Sequence, residues 1–181
     1  MAGFVATGDD HTCVLLDGGS VKCWGANNQG QLGLGDTTSR GGTAASMGDA
    51  LLAVDLGTGA NATSITAGGS HTCAVLTGGE AKCWGANAQG QLGLGDSAGR
   101  GSAPGQMGDT LPAVSLGTGL VVESLSCSAD HTCAVLDGGA VKCWGSNARG
   151  QLGYGDGLAT RGAAAGEMGD LLSTVDLGTV R

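Results

Sequence analysis

The stretch His71-Thr72-Cys73-Ala74-Val75-Leu76-Thr77-Gly78-Gly79-Glu80-Ala81-Lys82-Cys83-Trp84-Gly85 decides the fold. Two short runs flank Thr77-Gly78-Gly79, and glycine accepts the positive φ that tight hairpin turns require. The segment therefore reads as a β-hairpin. The same wording recurs 60 residues earlier, from His11 to Gly25, and 60 residues later, from His131 to Gly145. Gly-Gln-Leu-Gly follows each copy, at Gly30–Gly33, Gly90–Gly93 and Gly150–Gly153. A fixed period of this size marks repeats that bury their faces against their neighbours.

The copies divide the chain into units 1–60, 61–120 and 121–181, the third with one extra residue between Asp156 and Arg161. Each unit is expected to hold four strands. In the middle unit these are Ser64–Ala67, His71–Leu76, Ala81–Trp84 and Ala113–Leu116. The first strand has equivalents at Phe4–Thr7 and Ser124–Cys127, and the fourth at Ala53–Leu56 and Thr174–Leu177. Asn87 to Met107 is a glycine-rich connection, and short turns are expected near Met47–Leu52, Met107–Leu111 and Met168–Leu172. The fold class is all-β, with four antiparallel strands per unit making a propeller-type blade. Three such units form part of a larger ring or array. The units lack atypical caps, so their apolar end faces are expected to be covered by further repeats or further copies.

Register bears on the cysteines. A three-residue loop at Asp17-Gly18-Gly19 sets Leu16 opposite Ser20, and counting back sets Cys13 opposite Cys23 on one face. The same count pairs Cys73 with Cys83 and Cys133 with Cys143, as disulfides or as neighbouring buried thiols. One histidine and two cysteines per unit fall one ligand short of a zinc site, so no metal is expected. Cys127, the seventh cysteine, stands where the other units have Thr7 and Ala67. It is either a small buried residue or a thiol available for an intermolecular bond.

Composition narrows the function classes. The net charge is −8, with 13% charged and 3% aromatic residues. Without a basic run the chain repels phosphate backbones, which excludes nucleic-acid binding. No apolar run approaches the ~18 residues of a membrane-spanning helix, and no secretory signal opens the sequence. His11, His71 and His131 recur identically at strand openings, where an imidazole can bond the backbone of the adjoining strand, so a structural role is assigned to them. Trp24, Trp84 and Trp144 are expected to pack between blades. Asp36, Asp96 and Asp156 read as turn caps, with Arg40, Arg100 and Arg161 placed to pair with them. Asp49, Asp109 and Asp170 recur in Met-Gly-Asp without the spacing of a known calcium loop. Asn61-Ala62-Thr63 is a lone glycosylation sequon. No catalytic residue and no cofactor are expected.

His-Thr-Cys-Ala-Val-Leu, Lys-Cys-Trp-Gly-x-Asn and Gly-Gln-Leu-Gly-x-Gly-Asp closely resemble the regulator of chromosome condensation repeat, over essentially the whole chain. Its cysteine-bearing form is similar to an extracytoplasmic branch of that family. The resemblance implies a seven-bladed ring, too large for three units, and protein recognition through blade loops. Light-sensing members carry Gly-Trp-Arg-His-Thr and clustered tryptophans, both absent here. The primary reading is thus a non-enzymatic protein-binding or scaffold module, extracellular or at the cell surface. The alternatives are a structural subunit of an extracellular fibre or surface layer, built by self-association, and a guanine-nucleotide exchange factor acting at chromatin.

Overall fold

The computed structural model describes residues 1–178; the last residues of the third expected unit, 179–181, lie outside it. The strands run in chain order as β1 (Ala2–Thr7), β2 (His11–Leu16), β3 (Val21–Gly25), β4 (Ala62–Ala67), β5 (His71–Leu76), β6 (Ala81–Gly85), β7 (Val122–Cys127), β8 (His131–Leu136), β9 (Val141–Ser146) and β10 (Thr160–Arg161). They form three sheets of three to four strands, β1-β2-β3, β4-β5-β6 and β10-β9-β8-β7, with every pairing antiparallel. Short 3-10 turns at Ala44–Ser46, Gly48–Ala50, Gly108–Thr110 and Gly169–Leu171 complete the regular structure among the described residues. No helix among them is long and apolar enough to cross a membrane.

The hairpin turn sets the register. Leu76 N–H donates to Glu80 O (2.7 Å) and Gly79 N–H to Leu76 O (2.9 Å), with Gly78 and Gly79 at φ 100° and 82°. From that hydrogen-bonded pair the alternation places Cys73 opposite Cys83 at a non-hydrogen-bonded position, where antiparallel strands approach most closely. Their Cα atoms are 4.1 Å apart and their sulfurs are at disulfide distance, 2.07 Å. Cys13–Cys23 and Cys133–Cys143 repeat this arrangement, at 2.07 and 2.09 Å. The first strand of each unit starts two residues before the expected Phe4, Ser64 and Ser124, because a bulge carries the pairing onward. Pairing steps from Ser64↔Val75 to Ala62↔Leu76, and Thr63, skipped in the ladder, bonds Val75 O through its hydroxyl (3.2 Å). A bulge of this kind inserts one unpaired residue and bends the strand.

The fourth edge differs from the expected continuous strands at Ala53–Leu56, Ala113–Leu116 and Thr174–Leu177. It is built from two pieces. At one end of β6, Val114 N–H donates to Ala81 O (2.8 Å); Val54 and Val175 do the same to Val21 and Val141. At the other end, Gly85 and Arg100 exchange two hydrogen bonds, and in the third unit this contact lengthens into β10. Between the two contacts the chain leaves the sheet and lies against the preceding unit. A Cβ on Gly30, for example, would come within 2.4 Å of Ser102 N.

Most of the apolar core therefore lies between units. One cluster joins Leu15, Val21 and Leu32 to Ile65, Leu76 and Trp84; the next joins Val75, Ala81 and Leu92 to Leu136, Trp144 and Leu172. The outward faces of the first and last units keep apolar residues accessible: Val5 is 57% exposed where its equivalent Ile65 is buried, and Val135 and Val141 are only partly buried where Val75 and Ala81 are buried.

Non-reducing peptide mapping is expected to recover Cys13–Cys23, Cys73–Cys83 and Cys133–Cys143 with Cys127 as the free thiol. Each bridge closes a short loop, so opening one should cost about 2–3 kcal/mol of stability in the loop-entropy account. Six free thiols, or pairing between units, would contradict the register.

Candidate functional site at the seams

The seam between the first and second units turns on one carbonyl. Gln31 O accepts the indole N–H of Trp84 (3.0 Å) and the hydroxyl of Thr72 (2.9 Å). Thr72 Oγ1 also lies 2.8 Å from His11 Nε2. The single hydroxyl proton is committed to the carbonyl, which cannot donate, so His11 Nε2–H must be the donor to Thr72. This fixes the neutral Nε2–H tautomer. The second seam repeats the relay: Trp144 (3.0 Å) and Thr132 (2.9 Å) donate to Gln91 O, and His71 Nε2 lies 2.9 Å from Thr132 Oγ1. One unit supplies His and Gln, and the next supplies Thr and Trp.

The Gly-Gln-Leu-Gly motif follows from this geometry. Gly33 sits at φ 67°, and a Cβ there would lie 2.8 Å from Trp84 Nε1, so only glycine lets the indole reach its carbonyl. Leu32 between them is fully buried. Asn27 holds the loop by accepting from Leu32 N (3.0 Å) and donating to Asp36 O (2.8 Å).

A second clamp closes the outer part of each seam. Lys82 Nζ donates to Leu56 O of the first unit (2.8 Å) and to Gly108 O of its own (2.9 Å). Asp109 accepts both the backbone N–H and the hydroxyl of Thr58, each at 2.7 Å. Lys142 and Asp170 do the same with Leu116, Gly169 and Thr118. The bonds from Thr58 and Thr118 hold the Asp109 and Asp170 carboxyls below the usual carboxylate range.

Burial sets the state of the histidines. His71 is pushed down to about 4 by desolvation, with small further contributions from His11 and His131, and burial lowers those two as well. Nδ1 of His11 and of His71 has no hydrogen-bond partner among the described residues. The imidazoles of His11 and His71 thus brace the seams, and their partner is a threonine hydroxyl of the next unit, not the expected backbone of an adjoining strand.

The other anticipated residues divide. Trp84 and Trp144 fill seams, whereas Trp24 is half-buried on the leading face of the first unit. Asp36 and Asp96 cap their turns, accepting from Thr38 N and Ala98 N, and pair with Arg40 and Arg100 at 2.7 Å; Asp156 and Arg161 pair likewise. Cys127 is half-buried in β7, with its backbone N–H on Thr66 Oγ1 of the second unit (3.1 Å). Burial pushes its thiol up to about 12, which makes it a poor nucleophile for an intermolecular bond. Sequence reasoning assigned no role to Thr72, Thr132, Gln31, Gln91, Lys82 or Lys142. Their recurrence in fixed phase with the tryptophans is the signal that marks them.

Comparison with known proteins identifies the arrangement. The regulator of chromosome condensation (RCC1) repeat matches residues 4–31, 62–91 and 122–151, and a second form of it matches 79–135. Each of the three matches runs from the first strand to the glutamine of Gly-Gln-Leu-Gly. The chain belongs to the RCC1 repeat family. Similar relatives include the ultraviolet-B receptor UVR8 of Arabidopsis thaliana, 34% identical over 154 residues, covering 84% of this chain and 31% of the receptor. The probable E3 ubiquitin-protein ligase HERC4 of Homo sapiens is 34% identical over 150 residues, 83% of this chain and 13% of the ligase. The X-linked retinitis pigmentosa GTPase regulator of Canis lupus familiaris is 30% identical over 153 residues, 83% and 14% of the two chains. The chain thus spans a third or less of the length of these relatives. Among solved structures, yeast RCC1 (Prp20) bound to Kap60 superposes with a TM-score of 0.65 at 20% identity, covering 90% of this chain and 36% of that one. Human WBSCR16 gives 0.61 at 23% identity, covering 81% and 34%. These structural likenesses confirm RCC1-type blades. The described residues form an open array of three and not a closed ring.

Replacing Trp84 by alanine should cost about 3–5 kcal/mol, as for other buried tryptophans, whereas Trp24→Ala should cost much less. Chemical denaturation distinguishes them; equal losses would show that the seam does not set the value of the residue.

A pH prediction follows from His71. The imidazole is neutral in the folded chain, while the unfolded chain binds a proton below its ordinary pKa near 6.5. Stability present above that pH is therefore lost as pH falls from 6.5 toward about 4, by on the order of 3 kcal/mol from this group. Urea denaturation across that window should show the slope, and His71→Gln should flatten it. An unchanged slope would contradict the burial argument.

Proposed function

We propose that this chain is a non-enzymatic protein-binding or scaffold module that works outside the cytoplasm. The observation that carries the reading is the triplicated, internally braced loop. Asp36–Arg40, Asp96–Arg100 and Asp156–Arg161 pin one glycine-rich loop per unit, and the seams lock the units that carry them. Rigid elements presenting loops suit recognition, because little ordering entropy is lost on binding. Kap60 bound to yeast RCC1 and a GTPase regulator among the relatives support a protein partner. The net charge of −8 favours a partner with a basic surface. The three cysteine pairs support an oxidising compartment.

The fibre reading has one observation in its favour. Val5, Thr12 and Trp24 lie on the face whose equivalents in the second unit, Ile65, Thr72 and Trp84, are buried against the first. The third unit opposes it. A Cβ on Gly8 or Gly68 would come within 2.3 and 2.2 Å of the next unit's backbone carbonyl, and the third unit carries Ser128 there. A copy laid on that unit in the same geometry would collide with Ser128, so stacking does not simply propagate.

Photo-crosslinkers at the exposed Thr37 and Ser97 should capture a protein partner, and the same groups at the hairpin tips Thr77 and Glu80 should not. Capture confined to the tips would contradict loop recognition. Light scattering on the purified chain should give a discrete species; long polymers would favour the fibre. Thiol trapping in intact source material should find the three pairs oxidised, and free thiols there would overturn the assigned compartment.

A further inference from the structure

The sequence alone leaves each unit one ligand short of a zinc site. The fold supplies the missing ligand at one seam. Cys127 of the third unit enters the second seam, where its sulfur, Cys73 Sγ and a ring nitrogen of His71 all lie within 4.8 Å of one another. Cys83 Sγ is bonded to Cys73 Sγ at 2.07 Å, so a fourth donor adjoins the group. We propose that reduction of the Cys73–Cys83 disulfide converts this seam into a zinc site with His71, Cys73, Cys83 and Cys127 as ligands.

Three cysteines and one histidine are a common ligand set for structural zinc. Bonds of about 2.3 Å to sulfur and about 2.0 Å to nitrogen place the donors of a tetrahedral site roughly 3.5–3.8 Å apart. Closing from within 4.8 Å needs side-chain rotation and not a new backbone. His71 and Cys73 are fully buried, and His71 keeps one nitrogen without a hydrogen-bond partner among the described residues. Cys127 also lines an open cleft of about 240 Å³ with Gly68, Gly69 and Ser128, which gives an ion a path to the seam. The disulfide and the metal exclude each other. A dithiol reductant delivers two electrons and two protons to Cys73 and Cys83 and is itself oxidised to its disulfide. Zinc then displaces the three thiol protons to solvent.

The first seam is an internal control. It holds His11, Cys13 and Cys23 in the same arrangement, but Ala67 stands where Cys127 does. The test is anaerobic titration of the whole chain with Co²⁺, after dithiol reduction and removal of the reductant, followed by displacement with Zn²⁺. The expected result is one tetrahedral Co²⁺ per chain, with thiolate-to-metal charge-transfer absorption. Cys127→Ser should abolish the tetrahedral spectrum, Cys13→Ser should leave it, and Ala67→Cys should add a second equivalent. Uptake by the oxidised chain, equal uptake by Cys127→Ser, the same spectrum in strong denaturant, or no uptake by the reduced chain would each overturn the proposal. Circular dichroism of the reduced, zinc-loaded chain should retain its strand signal, so unfolding on reduction would be seen directly.

Discussion

The structure depends on a backbone carbonyl that takes two hydrogen bonds from a neighbouring unit. Gln31 O and Gln91 O each receive an indole N–H and a threonine hydroxyl, and the hydroxyl is in turn bonded by a histidine of the unit that owns the carbonyl. A buried carbonyl and a buried imidazole N–H both require partners, and the neighbouring unit supplies them. The relay therefore fixes the stacking distance and offset as well as adding stability. Glycine at positions 33 and 93, leucine at 32 and 92, and tryptophan at 84 and 144 are all consequences of that one contact.

This accounts for what the sequence reveals and what it hides. The hairpin was legible because register across Thr77-Gly78-Gly79 is local: counting residues suffices to set Cys73 against Cys83. The repeat period and the family were legible because the motifs are contiguous. The fourth edge was not. Ala113–Leu116 has strand composition, but the glycine-rich segment before it bends away to cover the neighbouring unit, and only Val114 returns to the ladder. Nor was the histidine partner legible. His11 and Thr72 are 61 residues apart and meet only after the units stack, so one unit read alone points to a local backbone partner instead. The special position of Cys127 has the same cause, since the cysteine and histidine it faces belong to the preceding unit.

Function inherits this organisation. The seams occupy the repeated polar groups: burial lowers the pKa of each histidine, and those of the first two units are bonded to a threonine across a seam. The lysines of the second and third units bond backbone carbonyls. What remains outside is a set of repeated, braced loops on an acidic framework, and the proposed recognition is assigned to them. The third unit breaks the strict repetition with Cys127, Ser128 and the residue added before Arg161. Of these, Ser128 stands where a fourth unit would pack, whereas Cys127 faces the second unit.

The central claim is that the seam, and not the blade, gives these residues their energetic weight. Threonine-to-valine substitution at three equivalent positions tests it most directly. Thr12, Thr72 and Thr132 occupy the same strand register opposite a tryptophan. Only Thr72 and Thr132 bond a histidine and a carbonyl across a seam. Denaturant unfolding should show losses of about 1–3 kcal/mol for Thr72→Val and Thr132→Val, the range for stranding buried hydrogen-bonding groups, and little change for Thr12→Val. Equal effects at all three positions would show that the threonine acts within its own sheet and would contradict the account.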